Sequence, residues 1–277
     1  MTGSGFSGAV QTRNSDLVDL LRSDFQHRNE PNFAWKSAVS AATFLPGLIA
    51  SWPMSIARLD SQTDRIRDVG GGGYHLTTIN DPLFRRDNLV PVVEFDGASE
   101  YSMRTAGAAS WASILGTEAY IHANQQGLFV GGWFNFDDAL GTDETIIAKW
   151  GAAAGTRSYR IRRAANGDAT FSVSDDGSAV TTATVAGGFD TANVWYFVMG
   201  IFDNVGNELR LWVNTSMSTT VYNNTIFDGT ADFTIGSRDG PAEYFDGTTS
   251  LCVLGAFALL DVLVWNFYQQ TRAMFGR

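Results

Sequence analysis

Asn193-Val-Trp-Tyr-Phe-Val-Met-Gly-Ile-Phe-Asp-Asn-Val-Gly-Asn-Glu-Leu-Arg-Leu-Trp-Val-Asn214 is the stretch that decides the fold. Two apolar runs flank Asp203-Asn204-Val205-Gly206-Asn207. The first, Trp195 to Phe202, is aromatic and β-branched, a composition that fits strands. In the second, Leu209, Leu211 and Val213 alternate with Arg210, Trp212 and Asn214. Period-two alternation on both sides of an Asn/Asp/Gly cluster predicts a β-hairpin. Asn and Gly accept the positive φ of the turn at least cost. The alternation puts Trp195, Phe197, Met199 and Ile201 on one face, with Leu209, Leu211 and Val213 as their expected partners across it.

Working outward, short strands recur at residues 48–54, 90–95, 100–104, 128–136, 145–150, 158–163, 169–174, 179–185, 218–222, 233–236 and 250–259. Turn residues separate them, as at Asn166-Gly167 and Asp175-Asp176-Gly177. Many short strands with regular turns predict an antiparallel sandwich or barrel and exclude a parallel α/β sheet. Asp261 is placed to cap a final helix over residues 262–275.

The N-terminal part reads differently. Residues 1–13 are small and polar and form an arm. Residues 14–28 predict a helix with Leu17, Leu20, Leu21 and Phe25 on one face. Residues 33–43 predict a second, weaker helix. Short helices cannot bury such faces on each other alone, so they are expected to pack on the following domain or on another subunit, and these side chains are the candidate assembly residues. Pro46-Gly47 marks the boundary, giving an arm with helices at 1–45 and one domain at 46–277.

Residues 46–275 resemble the laminin-G-like, concanavalin A-like jelly-roll family of the bacterial and phage type. The resemblance rests on ordered pieces: Gly47-Leu48 to Trp52-Pro53-Met54, then Asp68 before Gly70 to Gly73 and Leu76-Thr77-Thr78. Phe95-Asp96-Gly97 with Tyr101 and Gly131-Gly132-Trp133-Phe134 come next. Ile146-Ile147-Ala148-Lys149, Ser158-Tyr159-Arg160-Ile161, the hairpin, Ile235-Gly236 and Tyr244-Phe245-Asp246-Gly247-Thr248 complete it. It implies an all-β, antiparallel, two-sheet jelly-roll sandwich with short N-terminal helices and a C-terminal helix. The run Leu251 to Leu260 departs from the family by being apolar throughout. That requires cover on both faces, from the N-terminal helices or a neighbouring subunit.

The chain has 277 residues, 17% of them charged, and a net charge of −10. Four acidic and four basic residues cancel within residues 1–45, so the excess lies on the sandwich. An acidic surface argues against nucleic acid and against anionic membranes as partners. The one cysteine, Cys252, sits in an apolar run and reads as a buried thiol. Residues 1–10 lack the apolar core of a secretory leader, so synthesis and assembly in a cytoplasm are expected.

Glu94, Asp96 and Glu100 invite comparison with glycosidases of this fold, but Gly97 breaks the strand between them, and no catalytic residue is assigned. Calcium is the cofactor to consider, with Asp68, Asp96 and Asp203 as the candidate oxygen ligands. Each is equally explained as a turn residue. Trp111, Trp150 and Tyr244 lie in or beside loops and are the candidate rings for stacking on a glycan.

Two functions fit these observations. One is a non-enzymatic structural virion protein of a tailed bacteriophage, a capsid decoration or tail-associated protein. It would be made in the host cytoplasm and would join copies of itself or other virion proteins through its N-terminal arm. The other is a carbohydrate-binding or adhesion module.

Overall fold

The computed structural model describes residues 45–54, 65–70, 73–87, 90–104, 127–240 and 242–277. The expected assembly residues Leu17, Leu20, Leu21 and Phe25 therefore lie outside the described residues, as does Trp111. Among the described residues sixteen strands form two eight-stranded sheets in which every pairing is antiparallel. The expected all-β sandwich is what the chain adopts.

In the first sheet β14 (Ser216–Val221), β13 (Glu208–Val213), β12 (Trp195–Asp203), β7 (Leu128–Phe136), β16 (Asp246–Gly255), β5 (Val90–Asp96) and β4 (Leu83–Asp87) lie in that order. Strand β1 (Leu48–Trp52) also pairs with β16. The second sheet runs β11 (Thr181–Val185), β10 (Ala169–Val173), β9 (Arg157–Arg163), β8 (Glu144–Trp150), β15 (Phe233–Ile235), β6 (Tyr101–Arg104), β3 (Leu76–Ile79) and β2 (Arg65–Ile66). Strand β4 was not expected; Arg85, Arg86 and Asp87 hide its pattern. It is an edge strand, where charge is tolerated and discourages further pairing.

The core between the sheets includes Trp52, Phe95, Phe134, Phe136, Tyr159 and Phe171. Packing is close enough that a Cβ on Gly200 would lie 2.6 Å from the Phe171 ring. Glycine here lets an aromatic from the second sheet rest on bare backbone of the first.

The predicted hairpin is present, from β12 to β13, but the two halves of its apolar pattern face opposite ways. Leu209, Leu211 and Val213 pair with Phe202, Gly200 and Val198 and point into the core between the sheets. Trp195, Phe197, Met199 and Ile201 point to the outer face of the first sheet. The expectation that they face each other is wrong because the register sets Ile201 opposite Arg210 and Met199 opposite Trp212. A strand that is apolar on both faces leaves the partner choice to register.

The outer face of the first sheet is sealed by the C-terminal helix α1 (Asp261–Thr271) and a 3-10 turn (Arg272–Phe275). Trp133 stacks on Phe275 with centroids 4.3 Å apart, and its Nε1 donates to Thr271 Oγ1 at 3.0 Å. Val264, Phe267 and Tyr268 complete a second core with Leu251 and Val253. The apolar run beginning at Leu251 therefore has cover on both faces, as expected: Cys252 and Leu254 enter the inner core, Leu251 and Val253 the outer one. Its outer cover comes from α1. Burial pushes the Cys252 thiol pKa up to about 12, so it is an inert thiol, as read from the sequence.

Asp261 does not cap α1. The N-cap is Leu260, without a side-chain cap, and Asp261 forms an ion pair with Arg210. Arg210 also meets Glu208 at 3.2 Å and donates to Leu259 O at 3.0 Å, tying the hairpin to the start of the helix. Among the described residues no helix is long and apolar enough to cross a membrane.

Candidate functional site

The candidate calcium ligands are kept apart. Asp68 follows β2, Asp96 ends β5 and Asp203 ends β12. Each carboxylate is taken up locally. Asp68 Oδ1 accepts from Ser51 N at 2.9 Å and Gly70 N at 2.7 Å, and Oδ2 accepts from Tyr74 N at 3.0 Å. This buried side chain ties β1 to the glycine-rich loop. Asp203 Oδ1 accepts from Val205 N and Gly206 N in the hairpin turn, and Oδ2 lies 3.4 Å from Arg210. Among the described residues no group of His, Cys, Asp and Glu converges as a metal ion requires.

Glu94 and Asp96 share the outer face of β5, opposite Thr248 and Asp246. Glu94 pairs with Arg85. Asp96 Oδ1 accepts from Ala98 N, Ser99 N and Glu100 N at 2.8–3.0 Å. Burial works against ionisation of Asp96, but these backbone donors outweigh it and hold its pKa below the usual value. Glu100 lies beyond this turn, and burial together with the Asp96 charge raises its pKa.

The opposite situation holds on the outer face of the second sheet. Arg160 alternates with Tyr159 and Ile161, which enter the core, so Arg160 points outward beside the end of β8. There Trp150, Arg157, Arg160, Val180, Arg238 and Glu243 line a cleft of about 210 Å³. Trp150 is not the bare stacking platform expected of it. It is only 3% exposed, and the guanidinium carbons of Arg160 and Arg157 lie 4.7 and 5.8 Å from its ring centre. The indole is the wall on which the arginines are stacked. Tyr244 is partly exposed but lies outside this cleft, paired with Tyr101 at 6.4 Å.

Glu243 organises the cleft. Its backbone is left-handed, with φ of 54°. Its Oε2 accepts from Arg160 Nη1 at 2.9 Å and from Thr145 Oγ1 at 2.8 Å, and Oε1 lies 3.2 Å from Arg238 Nε. Arg157 is positioned instead by carbonyls, donating to Ser178 O at 3.0 Å and Ala152 O at 3.3 Å. Burial lowers the pKa of Arg160, which Glu243 opposes, and a guanidinium stays charged throughout the working range. Three guanidiniums against one carboxylate leave the cleft positive. Sequence reasoning treated the β9 segment as a family motif only. The signal that could have found the cleft is Arg157, Arg160, Arg162 and Arg163 within one strand of an acidic chain.

The family model described as the concanavalin A-like lectin/glucanases superfamily matches residues 106–254, more than half of the 277 residues. No curated protein matches the chain. Among solved structures, the binding domain of botulinum neurotoxin DC in complex with SialylT is similar with a TM-score of 0.57 at 12% identity, covering 82% of this chain and 52% of that one. The same domain in complex with rat synaptotagmin II is similar with a TM-score of 0.56 at 12% identity, over 81% and 52% of the two chains. The receptor-binding domain of the mosaic serotype C/D has a TM-score of 0.56 at 11% identity, over 80% and 50%. This chain spans about half the length of these domains, and at such identity the likeness is one of fold.

Proposed function

Because the chain belongs to the concanavalin A-like lectin/glucanases superfamily, we propose that it is a non-catalytic binding module that takes a carbohydrate at the Trp150 cleft. The observation that carries this reading is the cleft itself: a concave site on the second sheet, lined by ring, aliphatic and charged groups aimed into one space. Hydrolysis of a glycosidic bond needs two carboxyls facing the substrate. Among the described residues Glu243 is the only carboxylate lining this cleft, and Arg160, Arg238 and Thr145 hold it. The similarly folded neurotoxin domains in complexes with SialylT and with rat synaptotagmin II support the binding class.

A glycan array probed with the full-length chain tests the proposal. Hits that disappear with Arg160→Gln are expected. An array without hits, or hits indifferent to that substitution, would reject the cleft as the site.

A second reading, a structural virion protein of a tailed bacteriophage, would need a surface for neighbouring copies. Leu260, Val262 and Trp265 are exposed together at the start of α1, leaving apolar surface that an assembled neighbour would cover. Native mass measurement of the full-length chain, against a version lacking residues 1–45, tests it. A monomer in both cases removes self-assembly through that segment.

A further inference from the structure

We infer that the Trp150 cleft is built for an anionic sugar, one that carries a carboxylate or a sulfate; this rests on the cleft being the sugar site. The chain has a net charge of −10, yet Arg157, Arg160 and Arg238 converge here around one carboxylate. Glu243 divides its two oxygens between Arg160 and Arg238. Arg157 has no carboxylate partner among the described residues; the carbonyls of Ser178 and Ala152 and the Trp150 ring hold it in place. The positive charge is thus fixed in direction without being neutralised.

The unused donors point the same way. Arg157 Nε, Arg160 Nε and Arg238 Nη1 are shielded from solvent and find no acceptor among the described residues. Arg162 Nε, outside the cleft, is unpaired too among the described residues, so what sets the cleft apart is the convergence of three guanidiniums on one space. An oxyanion fits that convergence, because its oxygens accept from forked guanidinium donors with charge assistance. Phosphate would satisfy the donors alone, but the cleft has more than donors. Val180 supplies an apolar contact at the mouth, and Glu243 retains lone pairs that suit sugar hydroxyls. A volume of about 210 Å³ is below the roughly 300–1,000 Å³ of drug-sized sites, so it fits one residue of a glycan and leaves the rest of the chain outside.

The test is titration of the full-length protein, followed by tryptophan fluorescence, with methyl glucuronide, glucose 6-sulfate and neutral methyl glucoside. At low salt one charged sugar, the uronide or the sulfate, is expected to bind at least about tenfold more tightly than the neutral one. That margin should shrink as ionic strength rises from about 0.01 to 0.15 M. Arg160→Gln and, separately, Arg157→Gln should erase it. Arg157 makes no ion pair among the described residues, so that variant keeps the test valid should Arg160→Gln fold poorly; circular dichroism checks both. Equal binding of charged and neutral sugars overturns the inference while the cleft remains a sugar site. No binding of any of the three, with array hits unchanged in Arg160→Gln, overturns the reading of the cleft itself. Inorganic sulfate binding as tightly as either charged sugar also overturns the inference, since the cleft would then be an ion site.

Discussion

The two outer faces of this sandwich are built in opposite ways. On the first sheet, Trp133, Phe197, Met199, Leu251 and Val253 form an apolar face that the chain closes with its own C-terminal helix. On the second sheet, the corresponding outward positions of β9 hold Arg160 and Arg162. An apolar face is stable only when covered, so it becomes a second core and is lost as a ligand surface. A face whose guanidiniums are stacked and ion-paired stays open without cost to the core. The difference teaches why the proposed site lies on the second sheet: the helix occupies the outer face of the first.

Trp133→Ala should break the comparison most sharply. It removes a fully buried indole, its stack on Phe275 and its bond to Thr271. A loss of about 4 kcal/mol is expected in urea unfolding. If the loss were below about 1 kcal/mol, the helix would not be sealing the first sheet.

Next in size is a pH effect at the end of the sandwich. Burial raises the Glu144 pKa to about 7, and neither the bond from Asp246 N nor the 2.6 Å ion pair to Arg163 offsets it. A carboxyl with a folded pKa above its unfolded value favours the folded state when protonated. Its contribution is therefore complete below about 4.5 and is lost as pH rises through about 7. Relative to Glu144→Gln, wild type should gain on the order of 2 kcal/mol between pH 7.5 and 5. The His75 pKa is lowered by burial, which costs stability as pH falls below 6.5, but this acts in both proteins and cancels in the difference. Parallel curves for the two proteins would remove Glu144 as the titrating group.

Arg160→Gln should move stability by no more than about 1 kcal/mol, because Glu243 keeps Arg238 and Thr145 and no carboxylate is left unpaired. A melting curve that collapses would make the arginine a structural prop. The smallest effect is expected from calcium. Adding calcium or a chelator should leave the melting temperature within about 1 °C, since Asp68, Asp96 and Asp203 already hold backbone donors. A clear rise with calcium would restore the metal reading.

Much of the sandwich was legible because alternation and turn residues are local. The hairpin from β12 to β13, strand β7 and the buried Cys252 lie where the pattern put them. Strand β4 was illegible because an edge strand can carry Arg85, Arg86 and Asp87 and so loses the apolar signature. The candidate site was half legible. Trp150 was singled out as a ring, but its role as a wall for Arg157 and Arg160 depends on neighbours from β9. Glu243 and Arg238 join it from a segment about eighty residues further on.

By itself the sequence determined that this chain is an antiparallel sandwich, since side-chain period and turn chemistry act over a few residues. It also determined that the run from Leu251 needs cover on both faces. Only the tertiary structure decided what supplies the cover, which way each half of the hairpin faces, and that arginines from distant segments meet at one indole. Those are matters of register and of packing at long range. A one-residue step in register exchanges the two faces of a strand while leaving its composition the same.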